Sequence, residues 1–179
     1  MAAERPTTTV TDQDSERPDV ASMVNSAELP PSFSEVRRWA IASTEDLARL
    51  RALLHHALTG TDTPPQRGIG EVPEKAVLVA SELATNALRH GEPPTVVRLL
   101  TDGERFAIDV IDRAPGSAPL VAGDRAPGDG GFGLILAQRV SLDVGWYAEG
   151  DLKHVWATFD APPGLLVDLD GHAPDDGTR

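Results

Sequence analysis

Apolar residues recur at two different periods along the chain, and each period predicts a kind of element. Leu47, Leu50, Leu54 and Leu58 are spaced by three and four, so a helix is expected from a start at Ser43 and Asp46 to a stop at Gly60. A second helix is expected to open near Pro73, a residue suited to a first turn, and to run to about His90, with Gly91 as a left-handed cap and Pro93 beyond it. From Thr95 to Asp112 the period changes to two. There "TVVRLLT" and "RFAIDVID" flank Asp102, Gly103 and Glu104, the signal of a hairpin. "EVRRWAIA" ahead of the first helix reads as a short strand, and a glycine-rich loop leads into a third helix over "LILAQRVS". "DVGWYAE" and "KHVWATF" then close the fold as another hairpin. That order predicts an α+β fold, a two-layer α/β sandwich whose mostly antiparallel, mixed sheet is covered on one face by helices.

The pattern fades at both ends. Residues 1–31 are rich in Thr, Asp, Pro and Ser with almost no large apolar side chain, so ordering them would cost entropy with little burial in return, and a disordered tail is expected. Residues 162–179 form an acidic tail in which "LLVDL" is a candidate strand or turn. A single domain over 32–161 remains, which suits a chain of 179 residues. Sixteen Lys and Arg against 28 Asp and Glu give a net charge of −12, which repels phosphate backbones and anionic lipid. Neither direct nucleic-acid binding nor a membrane partner is expected. The absence of cysteine excludes disulfides and thiolate chemistry. With no membrane-length apolar run and no signal-peptide pattern, a cytoplasmic location is expected.

Three stretches carry candidate chemistry. In "SELATNALRHG", Glu82 and Asn86 stand one helical turn apart and face the same point beside the helix. A carboxylate and an amide so placed suit a hydrated magnesium ion, which takes one or two protein oxygens and completes its shell with water and phosphate. They equally suit a plain solvent-facing stripe, and His90 suits a helix end through the dipole. In "RFAIDVID", Phe106, Ile108, Val110 and Asp112 share one face, so Asp112 ends an apolar row. An inward carboxylate needs a donor such as the exocyclic amine of adenine; otherwise the strand simply ends in solvent at "RAPG". In "GDGGFGLILAQ", Gly130, Gly131 and Gly133 let the backbone approach a ligand, and the helix that follows offers free amides to phosphate, although an ordinary hinge has the same composition. The stretch is neither a P-loop nor a dinucleotide fingerprint. Ser117 to Asp129, rich in Pro, Gly and Ala, suits a mobile lid. Adjacent His55 and His56 face different ways and suggest no metal site.

In combination and in this order, "SELATNALRHG", "VIDRAPG" and "GGFGL" resemble the N box and the two glycine boxes of the GHKL ATPases, the gyrase, heat-shock chaperone, histidine kinase and MutL type with a histidine kinase-like ATPase domain of Bergerat fold. Over Phe33 to Phe159 the compact length and the wording of the first box are most similar to the bacterial anti-sigma-factor serine kinases. The resemblance implies ATP and magnesium as cofactors. It gives Glu82 the general-base position, Asn86 the magnesium-ligand position and Asp112 the adenine-amine position. It assigns Gly116 to the adenine pocket, and Gly130, Gly131, Gly133 and Leu134 to nucleotide binding. Ala114 stands where many members have glycine, and Phe132 where close relatives often carry a basic residue, which removes a charge from the phosphate side. The implied function is ATP-dependent phosphorylation of a serine or threonine on an anti-anti-sigma (STAS-type) partner, with control of a sigma factor and so of transcription. Arg49 and Arg51 lie on the helix where relatives hold a sigma factor, or are merely solvated. A homodimer is a candidate assembly. The alternative is a non-catalytic, nucleotide-gated protein-binding module. A detached histidine-kinase catalytic domain fits less well, because no long helical hairpin bearing a phospho-acceptor histidine is present.

Overall fold

The computed structural model describes residues 25–61, 71–114 and 132–161. In chain order it contains β1 (Asn25–Ser26), β2 (Ser34–Ile41), α1 (Asp46–Thr59), α2 (Val72–His90), β3 (Thr95–Thr101), β4 (Arg105–Asp112), α3 (Phe132–Val140), β5 (Asp143–Glu149) and β6 (Leu152–Asp160). The strands make one sheet in the order β1-β5-β6-β4-β3-β2. Every neighbouring pair is antiparallel except β1 on β5, which is parallel. Helix α2 lies over β3, β4 and β6, α1 over β2, and α3 over β5. This is the two-layer sandwich with a mixed, mostly antiparallel sheet that the pattern predicts. The candidate lid and the "LLVDL" segment lie outside the described residues.

Side-chain size sets how the helices sit. The leucines Leu47, Leu50, Leu54 and Leu58 are buried along α1, each contributing about 1.5 to 3 kcal/mol through apolar burial. The Asp46 carboxylate accepts from the amides of Ala42 at 2.9 Å and Ser43 at 3.1 Å, which turns the chain into α1 and holds that carboxyl below its ordinary range. Gly60 ends the helix in the left-handed region at φ 69°. On α2 the inward row includes Ala76, Ala80, Ala84 and Ala87, whose short side chains let the helix lie close over the centre of the sheet. Its first turn is tied by Glu74, which accepts the Glu71 amide at 2.7 Å. The other end departs from expectation: Gly91 has φ −92° and ψ 174°, an extended conformation and not a left-handed cap.

Parity along the strands divides the sheet. Phe106, Ile108 and Val110 face the helices within the main core, and the alternate residues face away. Residues 25–33 cross part of that second face. The Ala27 amide donates to the Trp146 carbonyl at 3.0 Å, the Trp156 indole Nε1 donates to the Ala27 carbonyl at 2.8 Å, and Leu29 packs on Phe33, Leu100 and Ala107. Ala27 and Leu29, which composition assigns to the tail, thus pack against the fold. Trp156 can lie across β5 because Gly145 has no side chain; a Cβ there would stand 2.3 Å from the ring carbon Cζ2. Gly145→Ala is accordingly expected to destabilise the fold by about 1 to 3 kcal/mol through overpacking. An unchanged midpoint in thermal unfolding would contradict that packing.

Further along the same face, Asp109 is 0 % exposed. It accepts from Arg98 Nε at 2.9 Å and lies 3.0 Å from His154 Nδ1, on which Tyr147 stacks with ring centroids 4.3 Å apart. Burial opposes the Arg98 charge, but Asp109, together with Tyr147 and Glu35, outweighs it and the guanidinium pKa lies above its ordinary value. Burial, with Asp109 adding to it, pushes the Tyr147 phenol up. A carboxylate in the middle of a sheet is tolerated because Arg98 and His154 both meet its Oδ2, while its Oδ1 finds no donor among the described residues.

Candidate functional site

Helix α2 is the spine of the candidate site. Glu82 and Asn86 are half-buried on one side of it, a turn apart as the sequence requires. Ser81 and Thr85 turn their hydroxyls back onto the carbonyls of Val77 and Ser81, at 2.8 Å and 2.6 Å, so these polar residues ride a largely buried helix without an unmet donor. His90, in the last turn, is exposed. Arg49 and Arg51 are exposed on α1.

The start of α3 meets this spine. A Cβ on Gly133 would stand 2.7 Å from the Glu82 Cβ, 3.3 Å from Asn86 Nδ2 and 3.4 Å from Glu82 Oε2. Any larger residue would push the two helices apart. Glycine is needed here for closeness, and the effect is to bring the first amides of α3 beside the carboxylate and amide of α2. The Leu134 side chain belongs to the core at 1 % exposure, so only its backbone is available to a ligand. Gly116, Gly130 and Gly131 lie outside the described residues. Ala114 is the last residue described before that gap and is half-buried.

The far end of α2 meets Asp112. A Cβ on Gly91 would lie 2.4 Å from the Asp112 Cγ, which is the steric reason for a glycine in ordinary extended conformation. The Asp112 side chain is 2 % exposed and its Oδ2 lies 3.0 Å from the ammonium of Lys153, itself 7 % exposed. Its Oδ1 is buried and finds no donor among the described residues. Asp112 thus points inward at the end of its apolar row, as parity predicts, and it does not end in solvent.

Lys153 is the residue that sequence reasoning passed over. It faces Asp112 directly across the β4–β6 ladder. The available signal was its parity with the inward residues of "KHVWATF", a charged side chain at a core-facing position.

The rise of about 1.5 Å per residue puts Glu82 and Gly91 roughly 13 Å apart along α2. One end carries an unpaired buried acceptor. The other carries a carboxylate, an amide and the opening of a helix. Among the described residues no group of three or more acidic or histidine side chains could hold a metal. A magnesium ion at Asn86 would therefore depend on phosphate oxygens for the rest of its shell, which is how that ion is ordinarily held beside nucleotides.

The mixed sheet with helices on one face is an α+β sandwich. Residues 40–159, more than half of the chain, match the family model described as the histidine kinase-like ATPase domain, and the chain belongs to that family. Comparison with curated proteins gives no match. Among the described residues no helix is long and apolar enough to cross a membrane.

Proposed function

We propose that the protein is an anti-sigma-type regulator that binds ATP with magnesium and transfers its terminal phosphate to a serine or threonine of a small anti-anti-sigma (STAS-type) partner, so controlling a sigma factor. The observation that carries this is the alignment along one helix of the unpaired Asp112 acceptor with the Glu82–Asn86–Gly133 cluster. An amino-purine donor satisfies the first and a polyphosphate reaches the second. Cytoplasmic action follows from the role.

In this mechanism Asp112 orients the base, and the opening amides of α3 meet the phosphates at the positive end of the helix. Asn86 would hold magnesium, which would supply charge neutralisation at the phosphates. Glu82 accepts the proton of the incoming hydroxyl as its oxygen bonds to the terminal phosphorus. The bond from that phosphorus to the bridging oxygen breaks, and ADP leaves with the electron pair. Most of the acceleration comes from positioning, since the transition state asks for little covalent help.

Calorimetry tests the binding half. ATP is expected to bind in the presence of magnesium, and Asn86→Ala to lose the magnesium dependence while Asp112 still selects the base. A chain that binds no ATP, or an Asn86→Ala variant with undiminished magnesium dependence, would contradict the assignment. Transfer of labelled phosphate to the partner tests the chemical half.

A further inference from the structure

The base end of the site contains a charged residue to which the family assignment gives no role. The Lys153 ammonium holds Asp112 by Oδ2 at 3.0 Å, and both side chains are almost wholly buried. On another side Gly91 stands so close that even a methyl group there would overlap the Asp112 carboxyl carbon. The carboxylate is therefore bracketed. Rotating it would exchange its oxygens but would still leave one on the ammonium. The other, Oδ1, meets no donor among the described residues.

We propose that Lys153 is a positioning residue that sharpens the hydrogen-bonding polarity of the base pocket: by holding one oxygen of Asp112 it fixes the direction of the other as an acceptor for the base, which selects a purine with an amino group at carbon 6 against one with an oxygen there. This rests on the nucleotide-binding function proposed above. A 6-amino group donates to Oδ1. A 6-oxo group presents a second acceptor to it, and the buried oxygen stays unmet. The same logic extends to substitutions at position 112. With Lys153 in place, Asp112→Asn should turn its amide oxygen to the ammonium and its amino group to the base, because an ammonium only donates. The pocket then favours a 6-oxo purine.

The experiment is competition between ATP and inosine triphosphate, measured by calorimetry on the full chain with magnesium, alongside unfolding of the nucleotide-free protein. The natural chain should prefer ATP roughly ten- to hundredfold, the yield of one buried hydrogen bond made or left unmet. Lys153→Arg, which keeps a donor, should retain most of that ratio. Lys153→Met, which leaves Asp112 an acceptor but frees it to turn, should lower the ratio severalfold with magnesium dependence intact, whereas a merely structural role would weaken both nucleotides together and leave the ratio unchanged. Asp112→Asn provides the second arm if Lys153→Met does not fold, and its preference should invert. A folded Lys153→Met variant with the natural ratio, or a folded Asp112→Asn variant that still prefers ATP, overturns the proposal and leaves ATP binding standing. A natural chain that binds neither nucleotide removes the nucleotide-binding function, and this proposal with it.

Discussion

Glu82→Gln is expected to bind ATP as the natural chain does and to transfer its phosphate to a partner serine or threonine about two to four orders of magnitude more slowly. The amide is nearly isosteric with the carboxylate, so contact with the opening of α3 at Gly133 should survive; the Glu82 Cβ, which makes the closest approach to that glycine, is unchanged. What is lost is a group able to accept the hydroxyl proton. Glu82 stands one turn from Asn86, so the proton leaves close to where the terminal phosphate would be held. The measurement is single-turnover transfer of labelled phosphate, with ATP affinity followed in parallel by calorimetry. A variant that transfers at the natural rate would remove Glu82 from the chemistry. A partner that is bound in an ATP-dependent way yet never phosphorylated by the natural chain would favour the nucleotide-gated binding module.

Asp112→Ala is expected to cost about 3 to 5 kcal/mol of stability, because it leaves the buried Lys153 ammonium without its carboxylate. For a domain of this size that is a fall of roughly 10 °C or more in the unfolding midpoint. The pair itself carries a desolvation penalty, so removing both charges should hurt less than removing one. Asp112→Ala with Lys153→Met is therefore expected to recover part of the loss while remaining unable to select the base. Thermal and urea unfolding of the two single variants and the double variant close the cycle. If the double variant is no more stable than Asp112→Ala alone, Lys153 is not the group that suffers, and the ion pair has little energetic weight.

Much of this protein was legible from local pattern. Leucines at helical spacing gave α1, the alternation on either side of Asp102, Gly103 and Glu104 gave the β3–β4 hairpin, and the place of Asp112 in an apolar row gave its inward direction. These follow from the pitch of a helix and the two-residue repeat of a strand, which any chain segment carries within itself. The adjacency of Glu82 and Asn86 is of the same kind, and three such motifs in order sufficed to indicate the ATPase family. Near the amino terminus, Ala27 and Leu29 find partners because Trp156 and the Phe33 cluster are brought beneath them.

Only the tertiary structure paired Lys153 with Asp112, set Asp109 beside a histidine 45 residues away, and showed why Gly91 and Gly133 are glycines. The first two depend on the register between β4 and β6, fixed by how side chains from distant segments fit on both faces of the sheet. The glycines depend on how closely α2 approaches Asp112 and the start of α3. Neither strand register nor helix separation has a period in the sequence; both are outcomes of packing the whole core at once.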